Sequence, residues 1–183
     1  MLIEKEKSRL IIIDVQEKLV SVMLKPHTFI DNIIRLQKAA KALGIKTVAT
    51  EQYPEGLGKT IEKIMENFVK KKYPLEYGDN RLFPKTEFSS TKYVFNEIQE
   101  HSIICGIEAH VCVLQTAINF AKDKKVYVVQ DAIASRNEKD YLTALSRLDK
   151  HPNIEIVTTE MVLFEWLRDS KHKKFKEISS LIK

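Results

Sequence analysis

The chain has 183 residues, 44% of them apolar and 30% charged, with five glycines and five prolines, a balance that excludes disorder and allows a full hydrophobic core. No run of 18 uncharged apolar residues occurs, which argues against a membrane span, and MLIEKEKSRL at the N-terminus lacks the apolar centre of a signal peptide, so a cytoplasmic location is expected. The net charge is +5, but the tail from Lys171 to Lys183 carries five Lys against one Glu, +4 in all, leaving about +1 for residues 1–170; this reads as a solvated helix face, and nucleic acid is not an expected partner.

In chain order, RLIIIDV (Arg9 to Val15) is a near-continuous apolar run, the pattern of a parallel strand buried on both faces. Phe29 to Leu43 has helical spacing and Gly44 as its stop, and IKTVAT (Ile45 to Thr50) predicts a second strand. Thr60 to Met65 and Tyr93 to Gln99 read as short helices. Ser102 to Gly106 with His110 to Lys122, then Lys125 to Gln130 with Glu138 to Lys150, form two further strand–helix units. Ile154 to Thr158 leads into a helix over Glu160 to Arg168, and the basic tail predicts a last one. Such alternation predicts a single α/β domain over residues 1–183: a three-layer sandwich, with a mostly parallel Rossmann-like sheet of about six strands and helices on both faces. Right-handed crossovers then bring every strand's carboxyl end to one edge, where ligands bind. Asp14, Glu51, Gln52, Gly106 and Asp131 all fall on that rim.

Only two cysteines are present, too few for a disulfide framework. Cys105 lies within an apolar strand and is expected to be inert. Cys112 follows the strand-ending Gly106 by six residues, in the first turn of the next helix, where free N–H groups and the helix dipole lower a thiol's pKa. Its position alone leaves nucleophile and small core residue equally open. Asp14 closes an apolar run at the mouth of the sheet, as a site group or as a turn acceptor. Lys85, in RLFPKTEFSS behind a stiffening Pro84, either pairs with Asp14 and a thiolate or is one more surface lysine. Gln16, Glu51, Gln52, Phe88 and Glu108 follow strand ends or flank these three and are candidate pocket residues. The five histidines have no ligand spacing, so neither a metal nor a cofactor is expected. His110, two residues before Cys112, reads as structural rather than as a base.

Together these stretches carry a resemblance. L-I-I-I-D-V-Q-E, T-E-Q-Y-P-E-G-L-G, P-K-T-E-F-S, G-I-E-A-H-V-C-V-L-Q-T-A, D-A-I-A-S-R and T-T-E-M-V-L-F-E span almost the whole chain, and their order resembles the isochorismatase-like hydrolases, or cysteine hydrolase superfamily. The resemblance implies a Cys112–Asp14–Lys85 triad, a cis Ile107–Glu108 peptide, and an oxyanion hole from the Glu108 and Cys112 amides. It further implies a small-molecule substrate and a homo-oligomer. The cysteine argues against true isochorismatase chemistry, and TEQYPEGLGKT lacks the histidines of a nicotinamidase metal site. The expected reaction is hydrolysis of a small amide or similar C–N bond through a thioester; a redox-sensing thiol, a non-catalytic oligomeric binding protein and a nuclease are the alternatives.

Overall fold

The computed structural model describes residues 1–68, 76–77, 80–97 and 99–183. Its sheet is built from β1 (Ser8–Ile13), β2 (Thr47–Gln52), β3 (Glu76–Tyr77), β4 (Asn80–Lys85), β5 (His101–Ile107), β6 (Lys125–Ala134) and β7 (Ile154–Val157). The order across the sheet is β3-β4-β2-β1-β5-β6-β7; only the two-residue β3 at one edge runs antiparallel, so the other six strands are all parallel. The helices are α1 (Glu17–Val20), α2 (Pro26–Leu43), α3 (Pro54–Leu57), α4 (Glu62–Met65), α5 (Thr91–Val94), α6 (Leu114–Phe120), α7 (Glu138–Asp149), α8 (Thr159–Leu167) and α9 (Phe175–Ser179).

Both faces of the sheet are covered. One core joins Ile12, Ala49, Ile103 and Val129 of the sheet to α2, α4, α8 and α9; the other joins Ile11, Ile13, Val48, Ile104 and Val128 to α5, α6 and α7. This two-sided burial explains why β1 and β5 are buried at every position and read as continuous apolar runs. The helix ends carry the expected chemistry. Pro26 sits in the first turn of α2 and Gly44 closes it at φ 73°, while Asn137 and Thr158 cap α7 and α8 by accepting from Asp140 N and Met161 N.

Several elements depart from the sequence reading. β2 ends at Gln52 rather than Thr50, so Glu51 and Gln52 are strand residues. β4 was not anticipated, since Pro84 argues against a strand; β3 covers only Asn80 and Arg81, and at Pro84 the missing N–H costs no ladder bond on the β3 side. β6 continues to Ala134 across a register shift against β5. The segment starting at His110 is not α-helical at first: Ala109–Val113 is a π-helical turn, in which Val113 N donates to Glu108 O at 3.2 Å, before α6 begins. In the expected helix at Tyr93–Gln99, α5 and a 3-10 turn (Phe95–Glu97) occupy Thr91–Glu97; Ile98 lies outside the described residues. The basic tail is helical only over α9 and a 3-10 turn (Ser180–Ile182); Ile178 is buried and Leu181 O accepts from Arg35 Nε, so its apolar side is docked on α2. Of the apolar residues of α8, Leu163 and Trp166 are core, whereas Met161 and Phe164 are exposed. No helix among the described residues is long and apolar enough to cross a membrane.

Candidate active site

The chain lays down β1, then β2 and β4 to one side, and returns to place β5 on the other. The strand order therefore reverses between β1 and β5, and their carboxyl ends open the crevice at which parallel sheets bind ligands. Asp14 leaves β1 with φ 52°, a left-handed conformation that Asp tolerates better than most side chains, and the bend turns its carboxyl into the end of the sheet. Opposite, Gly106 of β5 pairs with Ile13; a Cβ there would lie 2.1 Å from Ile13 O and 2.6 Å from Ile13 N, and φ is 114°. Only glycine lets the two strands approach this closely beside the site.

Lys85, the last residue of β4, is fully buried and sets its ammonium 2.7 Å from Asp14 Oδ2. The same Nζ donates to Gln52 Oε1 at 2.6 Å and to the carbonyls of Glu87 and Phe88 at 3.1 Å each. Thr50 Oγ1 donates to Asp14 Oδ1 at 2.7 Å and lies 3.3 Å from Ser90 Oγ, while Ser90 N donates to Thr116 Oγ1 of α6 at 2.9 Å. Cys112, 6% exposed, sits close enough to the Asp14 and Lys85 side chains for both to act on its thiol. Burial pushes the Asp14 carboxyl above its ordinary range against the opposing pull of Lys85. Burial first, and then the neighbouring Asp14 charge, push the Cys112 thiol up to about 12, with Lys85 pulling the other way. This corrects the expectation of a lowered thiol: Cys112 stands in a desolvated π-turn beside a carboxylate, and both outweigh the helix end. Cys105 is wholly enclosed, and burial raises its thiol further.

The Ile107–Glu108 peptide is cis. Glu108 O accepts from Val111 N at 3.1 Å and from Val113 N at 3.2 Å, so this residue anchors the turn that carries Cys112. His110 binds Ser135 Oγ through Nδ1 at 3.0 Å and faces Asp140 Oδ2 at 3.7 Å, a structural tie to α7. Asp131, on the same rim, accepts from Thr159 N and Oγ1 at the start of α8 and is structural.

The expected pocket residues need correction. Gln16 is buried with Nε2 donating to Gln52 O and Gly58 O and Oε1 accepting from Gln52 N, a clamp between the end of β2 and the loop at Gly58 rather than a pocket wall. Gln52 holds Lys85 and, through Nε2, Thr86 O. Glu51 alternates with Thr50 and Gln52, so it faces the other side of the sheet; there Oε1 accepts from Thr60 N and Oγ1, beside a cavity of about 550 Å³ also lined by Met65, Leu82 and Pro84. Phe88 is 54% exposed and contributes its main-chain carbonyl instead. Glu108 spends Oε2 on Arg136, whose N and Nε both donate to it at 3.1 Å, so its charge is paired. The sequence reading missed Thr50, Ser90 and Thr116. The parallel pairing of Ile13 with Thr50 was the available signal for the first, since it sets Thr50 beside the residue preceding Asp14.

Residues 8–161 match the isochorismatase domain. The chain belongs to the isochorismatase family. Isochorismatase domain-containing protein 2 of Danio rerio is 36% identical to this family member over 184 residues, covering 96% of the chain and 86% of that protein. Among solved structures, the MAR1 ribonuclease of Caenorhabditis elegans superposes with a TM-score of 0.87 at 34% identity, over 100% of this chain and 92% of its own. The octameric YcaC hydrolase of Escherichia coli, of unknown specificity, gives a TM-score of 0.86 over 99% of this chain and 89% of its own; at 21% identity that is a likeness of fold alone.

Proposed function

We propose that the protein is a cysteine-dependent hydrolase of a small amide or similar C–N bond. The observation that carries this reading is the convergence of Asp14, Lys85 and the Cys112 thiol at one desolvated point, with Lys85 and Asp14 2.7 Å apart. Cys112 is the nucleophile and rests as a thiol. Asp14, held as a carboxylate by the Lys85 ammonium, accepts the thiol proton as sulfur attacks the substrate carbonyl. Burial raises the basicity of Asp14 and so favours this transfer. The amides of Glu108 and Cys112 donate to the oxyanion of the tetrahedral intermediate. On its collapse the C–N bond breaks, Asp14 gives the proton to the leaving nitrogen, and a thioester to Cys112 remains. A water then loses a proton to Asp14 and attacks the thioester, the carboxylic acid leaves, and the thiol regains its proton. No metal or cofactor enters the scheme. A homo-oligomer is part of the proposal, as the family resemblance implies, and two unpaired cysteines suit a reducing, cytoplasmic setting.

The reading is tested by incubating the protein with a panel of small primary amides and following ammonia release, with intact mass recorded after acid quench. Turnover with an acyl adduct on Cys112, abolished in Cys112→Ala, is expected; turnover that survives Cys112→Ala sinks the mechanism. The C. elegans neighbour's name favours ribonuclease activity as a second reading. RNA cleavage that persists in Cys112→Ala and is lost on neutralising the tail lysines would select it.

A further inference from the structure

Outside the triad, Glu108 makes a second connection. Its carbonyl anchors the cysteine turn, while its carboxylate accepts from both the main-chain N and the Nε of Arg136 at 3.1 Å. Arg136 follows the carboxyl end of β6, where Ala134 pairs with Ile107, so it stands on the rim next to the strand end that leads to Cys112. The Arg136 side chain is 59% exposed against 8% for Glu108, and among the described residues its Nη groups have no partner. A guanidinium fixed through Nε and free at both Nη ends presents the planar fork that binds a carboxylate with two parallel hydrogen bonds. Cys112 is only 6% exposed, so a substrate attacked there keeps part of itself outside, at the carboxyl edge of the sheet.

Resting on the hydrolase reading above, we propose that Arg136, positioned by Glu108, selects substrates that carry a carboxylate beside the scissile amide. A monoanion fits better than a phosphate dianion: Glu108 already balances Arg136, and a second negative charge on the ligand would meet that carboxylate. Charge at Glu108 is thus not a contact for a cationic substrate; it orients the residue that contacts an anionic one.

Two alkylating reagents of nearly equal size test this without a known substrate. Iodoacetate carries a carboxylate where neutral iodoacetamide carries an amide, and Cys105, fully enclosed, is the internal control. The readout is the ratio of their rates at Cys112, measured by peptide mass spectrometry at about pH 9, where the small thiolate fraction is larger than at neutral pH. Arg136→Gln should lower the iodoacetate-to-iodoacetamide ratio roughly tenfold, the low end for a charge-assisted hydrogen bond. Arg136→Lys, which keeps the charge and loses the fork, should restore part of it. If a variant misfolds, the wild type still decides, since about 1 M salt should lower the ratio through screening. A ratio unmoved by Arg136→Gln, or by salt in the wild type, overturns the proposal. If the ratio moves as expected but no carboxylate-bearing amide is turned over, the hydrolase reading fails and the anion selectivity stands.

Discussion

Replacing Asp14 by Asn should separate thiol reactivity from turnover, moving them in opposite directions. In the wild type burial and then the Asp14 charge hold the Cys112 proton on, while Lys85 works against them. A unit charge at roughly 4 Å is worth about 4 kcal/mol at an effective dielectric near 20, or about three decades in thiolate population. Nucleophilicity falls with thiol pKa along a slope of about 0.4–0.5, so about half of that gain is lost and the net rise in alkylation rate is roughly 30-fold. Lys85 tolerates the change because Gln52 Oε1 and the carbonyls of Glu87 and Phe88 still accept from it, and the thiolate becomes its counter-ion. The assay is iodoacetamide labelling of Cys112 at about pH 8 in wild type and Asp14→Asn, with Cys105 as the unreactive reference. The variant should label about 10- to 30-fold faster while losing amide turnover, because no base remains to take and return the proton. Labelling that slows or stays constant would refute the reasoning, since the carboxylate would then not be what holds the thiol neutral.

Lys85→Met strands the Asp14 carboxylate in a dry site and should cost about 3–5 kcal/mol in urea unfolding, while Asp14→Asn with Lys85→Met together should recover most of it; equal losses in both would mean the pair is not coupled. Gly106→Ala drives a methyl into the Ile13 main chain, which no rotamer change relieves, and should cost more than about 4 kcal/mol, read as loss of soluble protein or of its thermal transition. Burial depresses the pKa of His101, whose Nδ1 accepts from Glu4 N. Its neutral form therefore contributes stability that is present above the unfolded value of about 6.5 and lost as pH falls through the lower folded value. Thermal midpoints measured from about pH 7 to 5 should fall more steeply in wild type than in His101→Asn, and parallel curves would count against this.

Much of this architecture can be read from the chain because its strands are buried on both faces. RLIIIDV, SIICG and KVYVVQ declare themselves by unbroken apolarity, and the structure places each within a few residues of its expected bounds. β4 does not declare itself, because Pro84 imitates a loop, yet it is the strand that brings Lys85 to Asp14. Residues near strand ends were legible as rim residues, but not their direction. A two-residue error at the end of β2 hid the alternation that sends Glu51 to one face and Gln52 to the other. The state of Cys112 was misread for a related reason. Its place after Gly106 suggests a helix N-terminus, whereas the thiol is governed by enclosure and by Asp14, and that carboxylate lies 98 positions earlier in the chain. Desolvation is a property of the packed neighbourhood, which no local pattern encodes.

Lysine dominates the surface chemistry of this chain, and amine-directed acylation would coat it widely. Lys85 is the counter-example: its nitrogen faces four oxygens, from Asp14, Gln52, Glu87 and Phe88, and has no access to solvent. An ammonium so engaged must shed its proton and break these contacts before it can attack an electrophile, so it should be among the last lysines in the folded protein to accept an acyl group. Its labelling would report opening of the sheet's carboxyl edge, giving the molecule a built-in gauge of local unfolding at the site itself.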